Sequence, residues 1–211
     1  MGRERVVLFD LMDTLVRDPY HRLLEILPSE LQTRDFFRWK NQTAFQEFER
    51  GEIDEPEFFK RYYREDTPPE WRDRLWRPEK IKKELLRACG FIPGMDDLLR
   101  EQHERPDVKT GLASNYSRWY HDILKLRPEI EPLSDYVFIS CELGIRKPDA
   151  GYYDTIFEGL RRDLPDLRPE EVFFLDDRQK NIEGARSRGW SGAVFESTQQ
   201  ARGELETWLA K

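Results

Sequence analysis

Cysteine is nearly missing from this chain of 211 residues: Cys89 and Cys141 stand far apart and outside any Cys-x-x-Cys pairing. That scarcity excludes a disulfide framework and a thiolate metal site, and it fits a reducing cytoplasm. No apolar run approaches the roughly 20 residues that a membrane-spanning helix needs, and the first strand-like stretch begins by Val6, so neither a signal peptide nor a membrane partner is expected. Positive charge is in deficit too, with 35 Lys and Arg against 42 Asp and Glu, a net −7. This argues against a nucleic-acid partner, because phosphate-backbone affinity rests on clustered Lys and Arg. Internal repeats and low-complexity segments are also missing. The two Asn-x-Ser/Thr matches, at Asn41 and Asn115, are short enough to arise by chance.

What is present suits a folded enzyme. The length allows one substantial domain with a smaller insert, and 13% aromatic residues supply large side chains for a core. Short apolar runs recur at Val6–Phe9, Val108–Ala113 (broken by Lys109, Thr110 and Gly111), Tyr136–Ser140, Val172–Leu175 and Ala193–Phe195, which is how strands buried on both faces read. Helix-like segments follow the second, third and fourth runs at Ser117–Leu126, Asp149–Leu160 and Arg178–Arg188, the last closing at Gly189. The alternation predicts an α/β fold, a Rossmann-like doubly wound parallel sheet with right-handed crossovers.

Residues 17–90 have a different texture. Thr33–Arg50 carries Phe37, Ala44, Phe45 and Phe48 near helical spacing and stops at Gly51, Asp54-x-x-Glu57 with Pro56 reads as a capped helix start, and Pro78–Cys89 reads as a helix closed by Gly90. An all-helical insert is therefore expected between a core made of residues 1–16 and 91–211. Its aromatic stock reads as packing material, with Arg17 and Tyr20 nearest to the first strand end. His21, His103 and His121 read as surface residues.

Four polar sites fall at predicted strand ends, where ligands bind in open α/β sheets: Asp10, Ser114-Asn115, Arg146-Lys147-Pro148 and Asp176-Asp177. Taken singly, each has an ordinary structural use, Lys147 as a turn lysine, Ser114 as a helix cap, Asp176-Asp177 as acids at a helix start. Together they have a chemistry. Asp10, Asp176 and Asp177 crowd negative charge that a cation offsets, and hard oxygen ligands with no His or Cys nearby favour magnesium. A carboxylate so assisted can attack phosphorus.

In order and spacing these sites, followed by Asn181, Ala185 and Gly189-Trp190, resemble the haloacid dehalogenase superfamily over nearly the whole chain. Most members are magnesium-dependent phosphohydrolases, and the insert sits where their small-molecule enzymes carry a helical cap. The resemblance implies Asp10 as nucleophile, with Mg2+ held by Asp10, the Met12 backbone carbonyl and Asp176, and by Asp177 through water. It implies Lys147 neutralising the nucleophile and phosphoryl group, Ser114 and Asn115 binding phosphate, and a small phosphorylated metabolite as substrate. The strings Ser114-Asn115-Tyr116-Ser117-Arg118 and Leu143-Gly144-Ile145-Arg146-Lys147-Pro148 also look like the branch that holds sugar-1-phosphate phosphatases and the phosphatase domain of bifunctional epoxide hydrolases.

One residue departs from the pattern. Two positions after the nucleophile, where most such phosphatases have an aspartate that protonates the leaving group, this chain has Met12. That general acid–base help is worth roughly 100- to 10,000-fold. Asp13 is adjacent, but one step along extended backbone turns a side chain to the opposite face unless the turn bulges, so it reads as a turn or capping carboxylate. Three readings stay open: a phosphohydrolase favouring good leaving groups such as sugar 1-phosphates, a phosphate-ester-binding pseudoenzyme, and, less favoured because of Asp176-Asp177, a haloacid dehalogenase.

Overall fold

Four apolar residues in succession, Val6 to Phe9, are stable in a strand only if both of its faces are covered. In the computed structural model, which describes residues 4–20, 38–72 and 75–211, β1 (Arg5–Phe9) lies at the centre of a parallel sheet. Its partners are β2 (Val108–Ser114), β3 (Tyr136–Ile139), β4 (Val172–Asp176) and β5 (Ser191–Val194), in the order β3-β2-β1-β4-β5. Val6 and Leu8 pack on one face against Tyr152, Ile156, Ile182 and Ala185. Val7 and Phe9 pack on the other with Leu98, Leu99, Ala201 and Leu205. The sheet is doubly wound as expected.

Register carries the functional consequence. Phe9 pairs with Leu112 on one side and Leu175 on the other, so β1, β2 and β4 end within two residues of one another, and the Asp10 N–H adds one more bond to the Leu175 carbonyl (2.8 Å). Asp10, Ser114 and Asp176 are thereby delivered to one edge. The polar break in the second run does not interrupt β2. Buried Thr110 is satisfied by Asp135 Oδ2 (2.9 Å to its N–H) and the Leu133 carbonyl, and Gly111 passes so close to β3 that a Cβ there would lie 2.7 Å from the Tyr136 carbonyl oxygen.

Between β1 and β2 the described residues form only helices: α1 (Gln42–Glu49), α2 (Glu55–Lys60), α3 (Pro69–Arg72), α4 (Pro78–Ala88) and α5 (Met95–His103), the last already part of the core layer. Asn41 and Asp54 cap α1 and α2 through their side chains, and Pro78 opens α4. The single helix expected from Thr33 does not run through to Arg50, because Asn41 starts a new one at Gln42; residues 33–37 lie outside the described part, as do Phe36 and His21. Where the chain leaves and rejoins the core, the strands cross side by side. Arg17 N–H donates to the Gly90 carbonyl and Ile92 N–H to the Leu15 carbonyl, 2.9 Å each, around a Val16–Phe91 bridge.

The helix expected from Ser117 starts three residues later, as α6 (Tyr120–Leu126), because Ser117 Oγ accepts from the Trp119 N–H and holds the chain in a turn. A short α7 (Ser140–Leu143) follows β3 directly and takes in Ser140, the last residue of the third apolar run. Then come α8 (Ala150–Asp163), α9 (Gln179–Ser187), with Gly189 left-handed just beyond it, and α10 (Thr198–Leu209). The helical insert rests on the core through Trp119, whose ring meets Phe48 and Phe58 edge-on and whose Nε1 donates to Glu55.

Candidate active site at the strand ends

Lys147 is the hub of the site. Its ammonium, buried, donates to Asp10 Oδ1 (2.9 Å), Asp176 Oδ2 (2.6 Å) and the Ala113 carbonyl (2.8 Å), using all three protons on groups at the ends of β1, β4 and β2. Burial opposes its charge, and Asp10 and Asp176 outweigh that, so it stays more firmly protonated than an ordinary lysine. Its backbone is fixed by Asn115, whose Oδ1 accepts from the Lys147 N–H (2.8 Å) while its Nδ2 donates to the Lys147 carbonyl (2.9 Å). The Asn115 side chain thus positions Lys147 while lining the pocket, with one amide proton beyond these two bonds.

Asp176 is fully buried, and its Oδ1 accepts from the Arg178 N–H and from Asn181 Nδ2, both at 2.8 Å. Asn181 is buried on α9, with its Nδ2 turned onto both oxygens of Asp176. Asp10 is buried at the end of β1. Burial pushes its carboxyl up to about 7, with Lys147 holding it down and Asp176 adding to the rise. Asp177 is half-buried and also raised, by burial and then by Asp176, with Arg178 opposing.

One oxygen from each of Asp10, Asp176 and Asp177 lies within 4.8 Å of the other two. Three carboxylates against the Lys147 ammonium and the Arg178 guanidinium still leave an excess of negative charge, and the donor set is all oxygen, so the residues present fit a hard divalent cation. Ser114 Oγ sits buried beside Asp10 and helps hold its carboxyl down.

Met12 and Asp13 both line the pocket above this cluster. Asp13 has φ +53°, so the backbone leaves the extended form there and the condition that would bring its carboxylate round is met. The same carboxylate accepts from the Asp18 N–H (2.9 Å), the capping role read from the sequence. Of the aromatic stock in residues 17–90, Phe48, Phe58 and Tyr62 are core, whereas Tyr20 and Phe45 reach the pocket wall with Gln42 and Glu49. Lys40 stands over the rings of Phe45 and Tyr20 at 3.8 and 4.0 Å. Sequence reasoning passed over Gln42 and Glu49, which carry no local signal beyond helix-face polarity, and gave Arg146 no role of its own within the Arg146-Lys147-Pro148 site. The pocket holds about 170 Å³, small beside the roughly 300–1,000 Å³ of clefts that take drug-sized ligands.

An open parallel sheet that gathers three carboxylates and a buried lysine at its carboxyl edge, beneath a helical insert, is the arrangement of a class of α/β hydrolases. The family model for haloacid dehalogenase-like hydrolases matches residues 4–189, and the chain belongs to that family. It is 27% identical over 200 residues to the chloroplastic flavin mononucleotide hydrolase 1 of Arabidopsis thaliana, covering 95% of this chain and 76% of that protein. It is 32% identical over 78 residues to bifunctional epoxide hydrolase 2 of Mus musculus, 37% of this chain and 13% of that protein. A family enzyme of Bacteroides thetaiotaomicron, solved in complex with magnesium and inorganic phosphate, shares the fold at a TM-score of 0.70 and 20% identity, over 93% of this chain and 96% of that one. No helix among the described residues is long and apolar enough to cross a membrane.

Proposed function

We infer that the protein is a magnesium-dependent phosphohydrolase of small phosphorylated metabolites, working through a phosphoryl group carried on Asp10. The observation that carries this reading is the Lys147 ammonium shared between Asp10 and Asp176 beside a carboxylate cluster that fits a divalent cation. Asp10, Asp176, the Met12 carbonyl and, through water, Asp177 would hold the magnesium ion, which supplies charge neutralisation at the phosphoryl oxygens. Asp10 attacks phosphorus, and the ester oxygen leaves. Lys147 keeps Asp10 ionised against the cost of burial and faces the charge that builds on the phosphoryl group, while Ser114 Oγ donates to one of its oxygens. Asn115 and Asn181 hold Lys147 and Asp176 in place for this. Water then cleaves the aspartyl phosphate. Residues 17–90 act as the cap that closes over the bound ester.

Met12 offers no proton to the leaving oxygen, so esters that leave as stable anions, sugar 1-phosphates or aryl and acyl phosphates, are the favoured substrates. Flavin mononucleotide, which the Arabidopsis relative's name specifies, belongs in the first substrate panel, although the pocket has room for little beyond the phosphoryl end. The free, buried Cys89 and Cys141 support a reducing compartment such as the cytoplasm. The test is turnover of p-nitrophenyl phosphate by the wild type, by Asp10→Asn and after chelation of magnesium. The reading requires a fall of at least about a thousandfold in both arms, the loss expected of an attacking group and its charge partner; turnover indifferent to Asp10 and to magnesium would overturn it. The Met12 side chain favours a second reading, a pseudoenzyme that binds esters without cleaving them. Met12→Asp separates the two, since gain of turnover from nothing supports the pseudoenzyme and an increase on existing turnover supports the enzyme.

A further inference from the structure

α9 begins without a cap of its own: no side chain closes its first turn at Arg178, and Gly184 in its middle is less favourable to a helix than alanine. Yet this turn has an exacting task, because Asn181 Nδ2 must reach both oxygens of buried Asp176, at 2.8 and 3.0 Å. What holds the turn comes from the neighbouring helix. Tyr153 on α8 is fully buried, and its hydroxyl donates to the Asn181 carbonyl (2.7 Å). Gly184 lies three positions beyond Asn181, on the same helix face. A Cβ there would lie 2.7 Å from both Cε2 and Oη of Tyr153, so the glycine is what lets the ring lie against α9. Trp190 and Phe174 meet the same ring edge-on, at 5.5 and 6.5 Å between centroids, and fix it from the other sides. Ring and hydroxyl together clamp two successive turns of the helix that carries Asn181.

We propose that Tyr153 is a positioning residue for the metal centre, its hydroxyl holding the first turn of α9 where Asn181 fixes the Asp176 carboxylate as a ligand. The proposal takes from the phosphohydrolase reading only the divalent cation at Asp10, Asp176 and Asp177. Lys147 competes for the same carboxylate, with its ammonium 2.6 Å from Asp176 Oδ2. A carboxylate held in one orientation by its own hydrogen bonds binds a cation more tightly than one free to turn toward a neighbouring ammonium. The adjacent tyrosine supplies the contrast. Tyr152 is as deeply buried, and its hydroxyl also donates to a carbonyl, but to that of Phe138 on β3, at 3.1 Å, in a strand that carries none of the three carboxylates.

The experiment is calorimetric titration of magnesium chloride into the full-length, metal-stripped protein, a readout that needs no turnover. Tyr153→Phe keeps the ring and loses the hydroxyl. It should raise the Kd for magnesium about three- to tenfold, short of the roughly 10- to 100-fold expected for a residue that bonds the ligand itself, such as Asn181. Tyr152→Phe should leave that Kd within about twofold of the wild type, although each variant loses a buried hydrogen bond and should lower the urea midpoint. Adding Tyr153→Phe to Asn181→Ala should raise the Kd by less than about twofold more, because the hydroxyl acts through the Asn181 side chain. An unchanged Kd in Tyr153→Phe, an equal rise in Tyr152→Phe, or effects of Tyr153 and Asn181 that multiply would each overturn the positioning role and leave the metal site and the phosphohydrolase reading standing. A wild-type protein that binds no magnesium overturns both.

Discussion

The floor of the pocket and its cap-side wall are built in opposite ways. On the floor, Lys147 uses every proton, Asp176 accepts from Arg178 and Asn181, and Asn115 grips the Lys147 backbone from both sides. These groups come from strand ends and the turns directly after them, so sheet register sets their separations. On the wall, Glu49 Oε2 and Arg146 Nε have no hydrogen-bond partner among the described residues, and Tyr20 and Phe45 complete the lining. Groups that must do the same chemistry on every substrate profit from preorganisation.

The hardest blow to the floor is Lys147→Met. It leaves Asp10 and Asp176 buried without their cation, so unfolding in urea should show a loss of about 3–5 kcal/mol, with turnover gone. Retention of stability would mean that the carboxylates are held by something other than Lys147. Next, Asn181→Ala should raise the magnesium concentration for half-maximal activity by roughly 10- to 100-fold, because it frees a carboxylate that would ligate the ion. An unchanged magnesium dependence would reduce Asn181 to packing. A smaller effect is expected where floor and wall meet. Ser140→Ala removes the donor to the Glu49 carbonyl and the acceptor for the Tyr116 N–H, costing about 1–3 kcal/mol in denaturant and loosening the wall, with the magnesium dependence left alone.

The smallest effect is confined to the wall and reads out in pH. Burial pushes the Lys40 ammonium down to about 8, with Glu49 and Asp18 opposing. The unfolded chain, with an ordinary lysine pKa near 10.4, then binds that proton more tightly than the folded one between about pH 8 and 10.4. Stability gains with rising pH across that window, and the penalty is complete below it. Melting temperatures of Lys40→Met and wild type should differ most below pH 8 and converge by about pH 10.4. A constant difference would assign Lys40 to ring contacts alone.

Much of the floor was legible because it follows from local rules. Apolar runs that end in Asp10, Ser114 and Asp176 are strands buried on both faces, and an alternating β and α order admits one common solution, a parallel sheet whose carboxyl ends share an edge. The helical character of residues 17–90 was legible from caps such as Asp54 and Pro78, and the break at Asn41 was not, since a capping asparagine inside an amphipathic run looks like a polar face. Asp13 shows the same limit. Its sequence neighbours predict the turn, but only the observed φ of +53° brings it to the pocket wall while its carboxylate caps Asp18.

By itself, the order of residues determined the family, the sheet, and the carboxylates and lysine at its edge, because backbone hydrogen bonding and side-chain alternation act over a few residues and read the same in any context. Tertiary structure alone decided that Asn115 serves Lys147, that Asn181 serves Asp176, and that Glu49, 97 positions away in sequence, stands against Arg146. The first two depend on how the turns after β2, β3 and β4 fold at the shared sheet edge, and the last on how a helical insert docks on that sheet, through packing summed over many side chains that no short stretch of sequence encodes.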